Sequence, residues 1–127
     1  MLHNLLSEYL KEIESAVTAM ENVYVEHYAE EILTDYRLNL RIRIRFINGH
    51  FLELNEAVIA GLKQIEQLDY RYHFQDKQNN LIFRYDNTPH FPKLESFPHH
   101  KHLSNQVINS NKPSIIDVIQ EACHLAR

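Results

Sequence analysis

Hydrophobic and polar residues recur along this chain with two different periods, and each period predicts one kind of secondary structure. In residues 2–20 the apolar positions are spaced three and four apart, which places them on one side of an α-helix. Residues 114–125 show the same helical spacing, and Ser114 followed by Asp117 resembles a capping box at a helix start. Between these two segments the pattern changes to alternation, which is typical of β-strands.

The alternation is clearest in residues 37–47, where apolar residues at even positions separate Arg37, Asn39 and further arginines at odd positions. A period of two places all the apolar side chains on one face of a strand and the arginines on the other. Weaker versions of the same pattern, bounded by turn residues, predict four more strands. The five predicted strands are residues 23–33, 37–47, 51–60, 64–75 and 80–86.

The dipeptide Asn48-Gly49 predicts a hairpin, and the hydrophobic pattern selects its length. A two-residue turn would place Leu52 on the arginine face. A three-residue loop with Gly49 in the left-handed conformation pairs Phe46 with His50 and returns Leu52 to the apolar face. Because a slip of one residue inverts every side chain, we predict the three-residue loop, with Arg43 opposite Glu53.

A second hairpin is predicted around the turn residues 76–79. If its loop closes Gln75 on Asn80, Arg71 faces Arg84. Asp69 then faces Asp86 on the same side of the sheet. Like charges directly opposite one another are mildly destabilising. This predicted register suggests diagonal Arg–Asp pairs or an anionic ligand held between the arginines.

Together these elements predict a single α+β domain spanning residues 1–127. We expect an N-terminal helix, a five-stranded antiparallel meander sheet, a long histidine- and proline-rich loop over residues 87–112 and a C-terminal helix. Both helices are expected to pack on the apolar face of the sheet. A length of 127 residues fits one domain with a real core.

Composition narrows the function classes. The formal net charge is −4, so nucleic-acid binding would need a local basic patch. A single cysteine, Cys123, excludes an intrachain disulfide and a CxxC metal pair. We see neither a basic, apolar signal segment nor an apolar run long enough to span a membrane, so we expect a cytoplasmic protein without membrane partners.

The polar face of the predicted sheet carries an unusual number of arginines. Guanidinium groups bind phosphate in a bidentate manner, so this face is a candidate surface for RNA. The alternative is a solvated face on which arginines and carboxylates pair across strands. The candidate substrate-binding residues are Arg43, Arg45, Arg71, Arg84 and Lys101.

Five of the nine histidines lie on the fourth predicted strand or in the 87–112 loop, which also holds three of the four prolines. Imidazole can take and give a proton near neutral pH, so these side chains are candidates for acid–base catalysis. Alternatively, His99 or His100 could hold a metal ion together with His102, His90 and a carboxylate such as Asp86, or the loop histidines could form hydrogen bonds to the backbone of a proline-fixed loop. The candidate catalytic residues are His73, His90, His99, His100 and His102.

The sequence also resembles a known family at several motifs. Tyr70-Arg-Tyr-His-Phe-Gln-Asp76, Leu81-Ile-Phe-Arg-Tyr-Asp-Asn87, Pro89-His90 and Phe97-Pro-His-His-Lys-His102 are similar to the signature of TumE-type toxins, as is Lys112-Pro-Ser114. The resemblance runs from Arg37 to the C-terminus. It implies the toxin half of a bacterial type II toxin–antitoxin module, with a small helix-turn-helix antitoxin as partner and RNA as target.

We therefore interpret the chain as a metal-independent endoribonuclease toxin without a cofactor. His100 or His102 would transfer protons with His73 or His90, while arginines and Lys101 stabilise the phosphate. The alternatives are a non-catalytic module that binds nucleic acid or antitoxin, and a metal-assisted hydrolase. A homodimer is a further assembly to be tested. The catalytic interpretation requires His73, Arg84 and at least one of the histidines at 99, 100 and 102 to meet in one cleft.

Overall fold

A computed structural model describes all residues from 1 to 127, and it places seven strands between two helices. Each strand pairs antiparallel with the strand that follows it in the chain, so the sheet order is the sequence order. The elements are α1 (Asn4–Thr18), β1 (Val23–Thr34), β2 (Arg37–Phe46), β3 (Phe51–Ala60), β4 (Ile65–Gln75), β5 (Leu81–Asp86), β6 (His100–His102), β7 (Val107–Asn109) and α2 (Ile115–Leu125).

Both helices pack on the apolar face of the sheet, as their apolar stripes predict. Leu6, Leu10 and Ile13 of α1 join Val118 and Ile119 of α2 in one buried cluster with the inward residues of β2 to β5. The Ser114 side chain accepts a hydrogen bond from the Asp117 N–H, 3.1 Å away, and so caps α2. The α+β class and the antiparallel meander are thus confirmed. Neither helix is long and apolar enough to cross a membrane.

The predicted number of five strands is wrong, because the 87–112 loop contributes two more. His100–His102 forms β6 against β5, and Val107–Asn109 forms β7 against β6. Each of these strands has only three residues, which is too short to show a period of two. His100, Lys101 and His102 are therefore part of the sheet rather than of a loop.

The hairpin between β2 and β3 has the predicted three-residue turn. The Phe46 N–H donates to the His50 carbonyl at 2.8 Å, and Gly49 has φ +92°, a left-handed conformation that favours glycine. Arg43 lies opposite Glu53, and Leu52 lies on the buried face. Burial of the apolar residues therefore decided the register, as predicted.

The predicted register of the hairpin between β4 and β5 is wrong by two residues. Arg71 pairs with Asp86, and His73 pairs with Arg84, so no like charges face each other. The cause is the Asp76 side chain, which accepts hydrogen bonds from two N–H groups of the turn and widens it. A bulge at Phe74/Gln75 absorbs the difference. The corrected register places a histidine beside an arginine on the polar face.

One buried carboxylate lies on the helix-facing side of the sheet, and the alternation pattern did not predict it. Glu56 is 4% exposed. Its carboxylate accepts hydrogen bonds from the hydroxyls of Tyr9 and Tyr72 and from the Gln67 amide at 3.0 Å. Burial, followed by the nearby Glu56 charge, raises the pKa of Tyr9 and of Tyr72, so both hydroxyls stay protonated and donate. Glu56 thus connects α1 to the sheet through a satisfied polar network.

Replacing Glu56 by Ala is expected to destabilise the fold by about 3 kcal/mol, because three buried donors lose their acceptor. Urea denaturation followed by circular dichroism measures the change. Glu66→Ala, which removes an exposed carboxylate from β4, is the control and should change stability by less than about 0.5 kcal/mol. Equal stabilities of the two variants would contradict a structural role for the network.

Candidate functional site

Two rows of side chains cross the strands on the polar face of the sheet. In each row the residues are aligned by strand pairing, so neighbouring side chains lie side by side. Row one is Arg43, Glu53, His73, Arg84 and His102, from β2 to β6. Row two is Arg41, Asn55, Arg71, Asp86 and His100, over the same strands.

The β6 ends of the two rows form a tight cluster of Asp86, His100 and His102, which we call the Asp86–His100–His102 cluster. Nε2 of His100 lies 2.9 Å from Oδ1 of Asp86 and 3.1 Å from Nε2 of His102. Nε2 of His102 lies 3.5 Å from Oδ2 of Asp86. The His100 side chain is 1% exposed and that of His102 is 23% exposed, so the cluster is shielded from solvent at His100 and accessible to solvent at His102.

The hydrogen bonds of His100 fix which of its nitrogens carries a proton. Nδ1 lies 3.0 Å from the carbonyl oxygen of Pro98, which only accepts, so Nδ1 must donate. In the neutral ring, Nε2 then holds a lone pair, and it points at the Asp86 carboxylate. A positive charge on or beside Nε2 is needed to make this contact favourable.

His73 is held in the opposite tautomer. Arg84 Nε, which only donates, lies 3.3 Å from His73 Nδ1, so Nδ1 accepts. Nε2 then carries the proton and donates to Oε1 of Gln75 at 2.8 Å. Gln75 was not predicted as a site residue, although its position two residues along the same strand face is the signal that could have found it. His73 therefore presents a lone pair towards Arg84.

Burial lowers the pKa of His73, and the charges of Arg84 and Arg71 lower it further, while the hydrogen bond to Gln75 acts in the opposite direction. Burial is also the main cause that lowers the pKa of His102, and Asp86 opposes that shift. Both imidazoles are thus kept in the neutral form at neutral pH. A neutral ring is the form that can accept a proton or bind a cation.

The lowered pKa of His73 predicts a pH-dependent stability. The unfolded chain, with a histidine pKa near 6.5, binds the proton more tightly than the folded protein. The associated stability is present above that pH and is lost as the pH falls through the folded pKa. His73→Gln should therefore flatten the decline in unfolding free energy between about pH 7.5 and about pH 5.5. Urea titrations across this range measure it, with His124→Gln as the control for losing a histidine; parallel curves for wild type and His73→Gln would contradict the assignment.

The structure separates the predicted arginines into two groups. Arg43 lies 3.4 Å from Glu53, Arg45 lies 3.1 Å from Glu26, and both guanidinium groups stack on the Phe51 ring. Arg71 and Arg84 form no ion pair with a carboxylate. Unpaired arginines keep their donors available for a phosphate, so Arg71 and Arg84 are the stronger candidates.

A groove of about 540 Å³ runs along the polar face beside row two. Its walls are mostly polar and include Arg37, Arg41 and Arg71, together with Asn55 and Asn87. Arg71 lies across from Asp86 in the strand pairing, so the groove leads to the Asp86–His100–His102 cluster. A polar groove with three arginines suits an extended phosphate backbone better than an apolar ligand.

The remaining predicted residues fall in two places. His90 is exposed, and a positive charge on it would lower the pKa of His102. The adjacent Phe91 ring packs edge-on against the rings of His100 and His102, with centroid separations of 4.9 and 5.7 Å. Lys101 and His99 instead lie towards the helix-facing side. Lys101 Nζ contacts Oε2 of Glu121 on α2 at 2.7 Å, and the His99 ring bonds the Tyr70 hydroxyl at 2.8 Å.

Thus the structure brings His73, Arg84, His100 and His102 onto one face with Asp86 and Arg71, and it separates Lys101 and His99 from them. Residues 10–125 match the family model described as Toxin TumE. No curated protein and no solved structure matches the chain. Because the match covers nearly the whole chain, the motif resemblance and the family model agree. The chain belongs to the TumE toxin family and is the toxin component of a toxin–antitoxin system.

Proposed function

We propose that this toxin is an endoribonuclease whose active site is the polar face of the sheet. The observation that carries the proposal is the order His73, Arg84, His102 in row one. A phosphate bound to Arg84 would lie between two groups that can transfer protons. The groove beside row two would hold the neighbouring phosphates.

Cleavage of RNA by its own 2′-hydroxyl needs a base on one side of the phosphorus and an acid on the other. In this proposal Arg84 moves from His73 to the phosphate, which frees the Nδ1 lone pair to take the 2′-hydroxyl proton. The 2′-oxygen then bonds to phosphorus as the bond to the 5′-oxygen breaks. His102, in the protonated form that the Asp86 charge stabilises, gives its proton to the leaving 5′-oxygen and becomes neutral, with His90 nearby at the open side.

Gln75 and Arg84 have defined supporting tasks in this scheme. Gln75 keeps the His73 proton on Nε2, so the free nitrogen is the one that faces the substrate. Arg84 neutralises charge that develops on the phosphate oxygens. Arg71 would bind an adjacent phosphate, since it is exposed and lies one row away from Arg84.

The direct test incubates the purified full-length toxin with a labelled RNA and with the corresponding DNA. We expect cleavage of RNA only, with 2′,3′-cyclic phosphate ends, because the DNA lacks the attacking hydroxyl. The same protein should arrest growth when it is induced without its antitoxin. RNA that is bound but left intact would overturn the nuclease and support the binding-module alternative.

The proposal also covers the antitoxin partner and the oligomeric state of the toxin. TumE family membership supports an antitoxin partner, for which we propose a small helix-turn-helix protein acting in the cytoplasm. Co-purification of the toxin with the product of the neighbouring reading frame tests that partner. Light scattering of the free toxin distinguishes a monomer from the homodimer.

A further inference from the structure

Two imidazole nitrogens and one carboxylate converge in the Asp86–His100–His102 cluster. They are the Nε2 atoms of His100 and His102, which lie 3.1 Å apart, and the Asp86 carboxylate, whose Oδ1 lies 2.9 Å from Nε2 of His100 and whose Oδ2 lies 3.5 Å from Nε2 of His102. The neutral His100 ring turns its Nε2 lone pair towards the carboxylate, and a cation bound between the three groups would make this contact favourable. Ligands bound tetrahedrally to Zn²⁺ at about 2.0–2.1 Å lie roughly 3.3 Å apart, close to these separations.

The groups around the cluster orient its members in the way that metal ligands are oriented. His100 donates its other ring nitrogen, Nδ1, to the Pro98 carbonyl, which fixes the ring and leaves Nε2 free to bind a metal. The Thr88 N–H donates to Oδ1 of Asp86 at 3.0 Å and holds the carboxylate in place. The rings of Phe91 and His102 cover His100 from the polar side.

We propose that the cluster binds one divalent transition-metal ion of the Zn²⁺ class through Asp86, His100 and His102. Two imidazoles and one carboxylate form a donor set that suits Zn²⁺ and similar ions, whereas Mg²⁺ prefers oxygen ligands. One ligand atom from each of the three residues would leave a coordination position for water, and the cluster is accessible to solvent at His102, whose side chain is 23% exposed. This reverses the metal-independent interpretation of the sequence.

The inference deepens the proposed function at the same cluster, and it rests on that function only for the chemistry of the ion. Water bound at the open position would have a pKa lowered towards neutrality and could supply the proton for the leaving oxygen. His102 would then be a ligand rather than the acid itself. His73, on the far side of Arg84, keeps its role as base.

Isothermal titration of the chelator-stripped full-length toxin with Zn²⁺, and separately with Mg²⁺, tests the site without any RNA. We expect one Zn²⁺ per chain and no saturable Mg²⁺ binding. His102→Gln and Asp86→Asn should each weaken Zn²⁺ binding by about a hundredfold or more. His99→Gln is the matched control, since it alters a neighbouring histidine whose ring contacts Tyr70 instead.

Nitrogen-detected imidazole spectra provide a readout that a structural role would not change. Zn²⁺ should shift the Nε2 resonances of His100 and His102 and leave His73 unshifted. His100 is not substituted, because its burial makes misfolding a confounding result. Unchanged Zn²⁺ affinity in His102→Gln, or equal loss in His99→Gln, would overturn the site.

The two proposals fail in different ways. Zn²⁺ bound at the cluster of a protein that leaves RNA intact removes the nuclease and keeps the metal site. RNA cleavage that persists in EDTA, together with no Zn²⁺ binding, removes the metal site and keeps the nuclease.

Discussion

Asp86→Asn is expected to abolish growth arrest and to slow RNA cleavage by about a thousandfold. Asp86 is buried between the two histidines, and its carboxylate contacts Nε2 of both. Asparagine has nearly the same shape but no negative charge, so it can neither stabilise a positive charge on the histidines nor hold a metal strongly. The loss is therefore expected with or without a bound ion. Single-turnover cleavage of a labelled RNA measures it.

Asp35→Asn is the matched control for this variant. Asp35 is exposed in the turn between β1 and β2, where its carboxylate contacts the N-terminal amine, and it lies outside the groove and the cluster. Its substitution should change the cleavage rate by less than about threefold, since exposed charges are strongly screened. If Asp86→Asn folds normally and cleaves RNA at the rate of Asp35→Asn, the cluster is not the catalytic centre.

Long alternating segments were predictable from the sequence because burial leaves no freedom in their register. In residues 37–54 a slip of one residue would expose a row of leucines, so the hydrophobic pattern alone fixed the turn at Gly49. Both helices were predictable because each carries one apolar stripe, which is buried against the apolar face of the sheet.

The site was predictable as a group of residue types but not as a geometry. A three-residue strand cannot show a period, so His99, His100 and His102 appeared equivalent within the loop. Once β6 joins the sheet, successive side chains point to opposite faces, and only His100 and His102 reach Asp86. The placement of His73 beside Arg84 depended on the Asp76 turn, whose side-chain hydrogen bonds shift the register by two residues.

Arg84→Ala is expected to reduce kcat/KM for RNA by about a hundredfold to a thousandfold, most of it in kcat. Arg84 is the central residue of row one, and its guanidinium group has no carboxylate partner. Removing it takes away the group that stabilises developing charge on the phosphate. It also leaves His73 Nδ1 without its donor, so a fall in kcat should come with an upward shift of the His73 pKa. Initial rates over RNA concentration and the NMR titration of His73 measure the two effects.

The contrast with Arg45→Ala decides whether charge alone or position matters. Both substitutions remove one positive charge from the same face, but Arg45 is paired with Glu26 and stacked on Phe51. A surface that binds RNA only through its overall field would lose similar affinity in both variants, and the salt dependence of binding would fall equally. The proposed site instead requires Arg45→Ala to lose less than about tenfold, mainly in KM. Equal losses would place the phosphate elsewhere on the sheet and would remove Arg84 from the catalytic role assigned to it here.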